Sequence, residues 1–180
     1  MLKKNTILKF EIISTIIIMV LGTLLHFVYD WTNNNVIVGV ISPVNESVWE
    51  HLKLLFYPML LMLIVGYCYK GKNIPNYVCS KVIGIIVSVL FTVIFHYTYS
   101  GIIGESIELV DIGSFFVAVL LGQYISYKKM KSAYDCNKTL SIAILLIMFI
   151  CFTVFTFFPP RINLFKDPIE NLYGTKSSAK

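Results

Sequence analysis

Leu140-Ser-Ile-Ala-Ile-Leu-Leu-Ile-Met-Phe-Ile-Cys-Phe-Thr-Val-Phe-Thr-Phe-Phe158 contains no charged residue and no glycine or proline. Helix at ~1.5 Å per residue carries such a run across ~30 Å of hydrocarbon. Its apolar residues are continuous rather than alternating, so a strand of a membrane barrel does not fit. Four more runs share this character: Ile12–Tyr29, Leu54–Tyr69, Val82–Tyr99 and Ile112–Tyr127. The second and fourth reach spanning length only when polar-helical residues at one end are added. With every backbone group needing an internal partner in lipid, the five runs are expected to be helices.

Composition agrees. The 180 residues are 57 % hydrophobic and only 14 % charged, against about 25 % charged in soluble domains. Mean hydropathy is +0.75. A water-soluble enzyme, a disordered chain and a nucleic-acid module are excluded as first readings. The net charge of +5 comes from short lysine runs between apolar segments, which act as topology signals. Lys3, Lys4 and Lys9 precede the first run. The 70–81 loop carries three lysines and no acid, and Lys128, Lys129, Lys131 and Lys138 follow the fourth run. The 30–45 and 100–110 loops have neither Lys nor Arg, and eight of the ten acids fall on their side. The expected fold is all-α: an integral membrane bundle of five transmembrane helices, N-terminus inside and C-terminus outside. Its spans are 12–29, 46–69, 80–99, 110–127 and 140–158, within one domain over 1–174 and with a disordered tail at 175–180. The first run exceeds a signal-peptide core and lacks a small-x-small cleavage site, so it reads as a retained helix. Cys68, Cys79, Cys136 and Cys151 form no CxxC; three lie near the lysine side, and reduced thiols are expected.

The least ordinary stretch is Asn45-Glu46-Ser47-Val48-Trp49-Glu50-His51-Leu52-Lys53. Ser42-Pro43 offers one helix start, and Ser47 with Glu50 offers another a turn later. On a helix, Glu46, Glu50 and Lys53 share a face and Ser47 and His51 the adjoining one. This reads as a charged first turn with an internal ion pair, followed by a bend at Pro58. Glu11 is expected to pair with a lysine on its own side. Gly84, Gly113 and Gly122 read as helix-packing notches.

Only three histidines occur: His26, His51 and His96. The topology puts all three near the outer surface, where Asp111 opens the fourth helix. Imidazole and carboxylate are the ligands of zinc-like ions, and three ligands plus water is the catalytic arrangement. The sharper expectation is a divalent metal, such as zinc, held by His26, His51, His96 and Asp111, with Glu50 or Glu46 as base. No HExxH or HxxxH supplies a local motif, and interfacial histidines bonded to backbone, hydroxyls or water are the plain alternative. The segment 159–168 is expected to lie across this face as a lid, with Arg161 against an outer acid.

The pieces His26-Phe-Val-Tyr-Asp-Trp31, Ser42-Pro-Val-Asn-Glu-Ser-Val-Trp-Glu-His51 and Leu164-Phe-Lys-Asp-Pro168 resemble an uncharacterised family of small bacterial polytopic membrane proteins, a domain of unknown function. Asn45–His51 is the specific part. The resemblance implies a multi-pass protein of the bacterial cytoplasmic membrane with the lipid bilayer as partner, and it transfers no activity. Three functional readings stay open. They are a metal-dependent membrane hydrolase, a small carrier or proton-coupled permease, and a structural or partner-binding subunit; nucleic acid is not an expected partner.

Overall fold

The structure is a computed structural model that describes residues 4–69, 71–74, 76–132 and 134–175. Helix α1 spans Lys4–Trp31, α2 Val36–Gly39, α3 Val48–His51, α4 Lys53–Tyr69, α5 Tyr77–Ile103, α6 Glu108–Lys131 and α7 Lys138–Phe157. Five of these segments are long and apolar enough to cross a membrane: Thr6–Trp31, Val48–Tyr69 (α3 continuing into α4), Tyr77–Ile103, Glu108–Lys131 and Lys138–Phe157. The all-α membrane architecture is therefore as expected, and there is no strand among the described residues. The spans are longer than the apolar runs because polar residues continue the helices beyond the hydrocarbon. The helix α4 runs through Pro58, whose missing N–H leaves the Leu54 carbonyl without its usual donor.

The core lies where α4, α5 and α7 meet α1 and α6, around Phe56, Phe152, Ile18, Leu55, Ile85 and Val119. Ile13, Ile16, Leu90, Ile94, Leu146 and Ile150 point outward with about half their surface exposed. Such apolar faces suit lipid and would be costly in water.

Helices α5 and α6 make the most extensive pairing, and small residues explain why. A Cβ on Gly84 would come within 2.6 Å of the Gly122 carbonyl oxygen, and one on Gly122 within 2.5 Å of the Gly84 oxygen and against the Ser88 hydroxyl. Ser88 donates across this crossing to the Ala118 carbonyl at 2.8 Å. Around Gly113, by contrast, a Cβ meets nothing within 4 Å, so this glycine is not the notch expected. Gly122→Ala should therefore lose about 1–3 kcal/mol through overpacking, despite gaining helix propensity. Gly113→Ala should be neutral or gain up to ~1 kcal/mol. Thermal unfolding in detergent separates the two, and equal midpoints would show that the crossing is not tight.

At the lysine-rich end, Asn76 Nδ2 donates to the carbonyls of Lys129 and Ser132, both at 2.8 Å, and Ser80 meets the Tyr134 hydroxyl at 3.2 Å. These contacts fold the α6–α7 loop onto the start of α5. They bring Cys79 and Cys136 together as a disulfide with a Cα–Cα distance of 6.0 Å. This corrects the expectation that all thiols are reduced; Cys68 and Cys151 are free. Of the tail expected to be disordered, Thr175 is buried, and 176–180 lie outside the described residues.

Candidate metal centre on the histidine-bearing face

The chain leaving α1 turns sharply at Asn33 and Asn34, both with φ near +55° (53° and 58°). Asparagine tolerates this left-handed backbone better than most side chains. Asn35 caps α2 by accepting the Ile37 N–H at 2.9 Å. The segment then folds back on α1. The fully buried Ser42 hydroxyl donates to the Leu25 carbonyl at 2.6 Å and accepts the Tyr29 N–H at 3.2 Å. That inserts it between the two partners of one helical turn, directly beside His26.

The helix after this loop starts at the later of the two expected positions. Ser47 is the N-cap of α3, and its hydroxyl accepts the Glu50 N–H at 3.4 Å. Glu46 thus precedes the helix and does not share a face with Glu50 and Lys53, which corrects the helical-face reading. The two carboxylates have different surroundings. Glu50 is 2 % exposed and Lys53 0 %. Lys53 Nζ donates to Glu50 Oε2 at 2.6 Å, to the Gly39 carbonyl at 2.7 Å and to the Ser42 carbonyl at 3.2 Å. All three ammonium protons are used. Glu50 also accepts the Val44 N–H at 3.0 Å and the Thr156 hydroxyl at 3.1 Å. One ion pair thereby ties the 39–44 loop, α3, α4 and α7 together. The ion pair was legible in the sequence. Ser42 and Thr156 carried no signal there, since a hydroxyl in an apolar run usually bonds its own helix, as Thr156 also does to the Phe152 carbonyl at 2.7 Å.

Glu46 turns toward the histidines. Its Oε2 lies 3.3 Å from His51 Nε2 and its Oε1 4.0 Å from His26 Nε2. The two imidazoles stack with centroids 5.2 Å apart. One ligand atom from each of His26, Glu46 and His51 lies within 4.8 Å of the others. His51 Nδ1 sits 2.9 Å from the Ser47 carbonyl. A carbonyl only accepts, so this ring nitrogen carries the proton. The Nε2 lone pair of a neutral His51 would then face a carboxylate oxygen with nothing between them. Either a proton or a metal cation at that point resolves the repulsion. With the proton there, the hydrogen bond from His51 holds the Glu46 carboxyl below its ordinary range, against the opposing effect of burial.

Beside this group is a cleft of about 150 Å³ lined by His26, Asp30, Asn45, Glu46, Asp167 and Glu170, among others, and by no Lys or Arg. The tail forms one wall. Asp167 Oδ2 accepts the Glu46 N–H at 3.2 Å, and Asn45 Nδ2 donates to the Gly174 carbonyl at 2.9 Å. The lid expectation holds for this segment, but Asp167 makes the contact while Arg161 is exposed.

His96 and Asp111 do not join the three-residue group. Gly104, with φ +95°, ends α5 in a tight turn to α6, so the two residues face each other. His96 Nδ1 lies 2.9 Å from Asp111 Oδ1. The sequence reading placed both among the metal ligands; the hairpin makes them partners of one another instead. Glu46, read there as a base, stands where a ligand would.

No curated protein and no solved structure matches this chain. One protein family does, over residues 1–175, and it is described as a family of unknown function, DUF6512. With nearly all of its length matched, the chain belongs to that family.

Proposed function

We propose that His26, Glu46 and His51 hold a divalent ion of the zinc class, and that the protein is a metal-dependent membrane hydrolase. The observation that carries this reading is the orientation of His51. Its Nδ1 is committed to the Ser47 carbonyl, so Nε2 is presented to Glu46 at 3.3 Å. A backbone carbonyl on the far ring nitrogen is the usual support of a ligating histidine. The 3.3 Å separation is about what two ligands of a tetrahedral ion at ~2.0–2.1 Å require. Two histidines and one glutamate form a three-ligand set of catalytic type, with a fourth position for water or substrate. A bound ion there would polarise a water or a carbonyl oxygen.

The remaining residues refine the reading. Glu50 is enclosed and fully engaged, which suits holding the loop rather than accepting a proton from substrate. His96, oriented by Asp111, is the better candidate for proton transfer. Four carboxylates around the cleft, Asp30, Glu46, Asp167 and Glu170, disfavour phosphate-bearing substrates and suit an uncharged or cationic ester or amide. The same acids support a second reading, in which the cation itself is the cargo. The lysine distribution supports a site on the face opposite the lysine-rich loops, which is the outer one under the positive-inside rule.

The test is zinc content after loading and desalting of detergent-solubilised protein. Near-stoichiometric zinc is expected in the wild type and in His96→Ala, and loss in His26→Ala, Glu46→Ala and His51→Ala. Binding should weaken as pH falls below ~6.5, the reference value for imidazole. No zinc in the loaded wild type would overturn the reading. Ion uptake into vesicles without ester or amide hydrolysis would favour cargo over catalysis.

A further inference from the structure

A second buried polar group lies toward the lysine-rich end, between α1, α5 and α6. Glu11 is 4 % exposed, Lys81 3 % and Gln123 4 %. Lys81 Nζ donates to Glu11 Oε2 at 2.5 Å and to Gln123 Oε1 at 3.4 Å. The pairing of Glu11 with a lysine on its own side was expected; the burial of that lysine inside the bundle was not. Helix α5 starts at Tyr77, earlier than the apolar run, and so carries Lys81 inward.

This pair is only partly satisfied. Glu11 Oε1, Gln123 Nε2 and the hydroxyls of Ser14, Tyr77 and Ser126 are all buried without a protein partner. Helical spacing aligns them. Glu11 with Ser14 and Gln123 with Ser126 are at i,i+3, and Tyr77 with Lys81 is at i,i+4, so each pair shares a face. Leaving one such group unpaired is costly, and five at one place would weigh heavily against the small net stability of a fold. On the side toward the histidines, Gly84 and Gly122 bring α5 and α6 into close contact one turn beyond Lys81 and next to Gln123.

The donor set selects the ligand. Glu11 Oε1 only accepts, Gln123 Nε2 only donates, and the hydroxyls do either. An anion would meet the carboxylate, and a metal cation would meet the ammonium. Water fits every position, at the two to four bonds per molecule usual for buried water.

We propose that this group is a hydrated proton-binding site, in which bridging water links Glu11 Oε1 to Gln123, Ser14 and Ser126, and Glu11 exchanges a proton with water on the lysine-rich side. Uptake moves a proton from hydronium to Oε1. One O–H bond forms on the carboxyl, one breaks in the hydronium, a neutral water remains, and nothing is oxidised. The titratable groups facing Glu11 are Lys81 and Tyr77 from α5. Helix α4 adds Tyr69, stacked on the neighbouring Phe10, and Tyr67, packed on Tyr77. Helix α6 contributes Gln123 and Ser126, neither of which titrates. The site stands independently of the metal reading.

Infrared difference spectroscopy of the full chain in lipid nanodiscs, during a pH titration in H2O and D2O, tests this. A protonated-carboxyl band should grow on acidification and shift in D2O. One component of this band should persist in Glu46→Gln, vanish in Glu11→Gln, and appear at least one pH unit higher in Lys81→Met, a tenfold gain in proton affinity. The paired changes Ser14→Ala and Ser126→Ala keep Glu11 and Lys81 but remove two partners of the water, so the Glu11 band should move in frequency. Identical spectra for wild type and Glu11→Gln, a band that does not respond to D2O, or an unmoved band in the serine variant would each overturn the proposal.

Discussion

Lys53→Met should be among the most damaging single changes in the chain, lowering stability by about 3–5 kcal/mol, the cost of breaking a buried ion pair from one side. Methionine matches the length of the lysine stem, so packing around Leu52 and Phe56 survives. The loss is electrical. Glu50, 2 % exposed, keeps only the Val44 N–H and the Thr156 hydroxyl as donors. The carbonyls of Gly39 and Ser42 lose their shared ammonium. The loop carrying Ser42 and Glu46 is then released from α4, so zinc binding should fall with stability although Lys53 touches no ligand. Adding Glu50→Leu should recover part of the loss, since removing both charges is often close to neutral. Recovery stays incomplete because the two carbonyls and the Val44 N–H are still unpaired. Chemical unfolding in detergent measures both variants. A Lys53→Met midpoint matching the wild type would mean that this pair does not hold the loop.

How much of this was legible beforehand depends on the range of the interaction. Leu140–Phe158 declares a spanning helix because length and apolarity are local properties. The Glu50–Lys53 pair is likewise visible as an i,i+3 spacing. The destination of the lysine is not, because Gly39 and Ser42 return to it through a fold-back set by two left-handed asparagines. Glu46 changed role on one local choice. Capping by Ser47 rather than Ser42 leaves it outside the helix, free to face His26 and His51. His96 and Asp111 lie toward the same end of the bundle as His51, but the turn at Gly104 pairs them with each other. Lys81 reads as a topology signal because it closes the lysine-bearing 70–81 loop, and becomes a buried group once α5 begins a full turn earlier, at Tyr77. The bond between Cys79 and Cys136, separated by 57 residues, has no local signature at all.

Trp49→Ala should cost about 3–5 kcal/mol, the range for deleting a large aromatic from a packed site, and should free the tail from the metal face. Trp49 lies among Phe152 and Phe165, each at 4.8 Å between ring centroids, and Phe155 at 5.5 Å. Phe165, 5 % exposed, is the anchor of the segment after α7. Two residues later Asp167 accepts the Glu46 N–H, so the aromatic clasp and the backbone of a candidate ligand belong to one connected unit. Its indole Nε1 is buried without a partner, so the ring rather than the N–H supplies the stabilisation, and Trp49→Phe should retain most of it. A double-mutant cycle with Phe165→Ala should give a coupling of about 0.5–1.5 kcal/mol, as expected for an aromatic pair. Limited proteolysis after Arg161 should accelerate in Trp49→Ala and not in Trp49→Phe. Zinc affinity should fall in the same order, because the Glu46 backbone loses the Asp167 contact that fixes it. Strict additivity in the cycle, or a tail equally protected in all three variants, would separate the clasp from the site and leave Glu46 positioned by Ser47 and Asn45 alone.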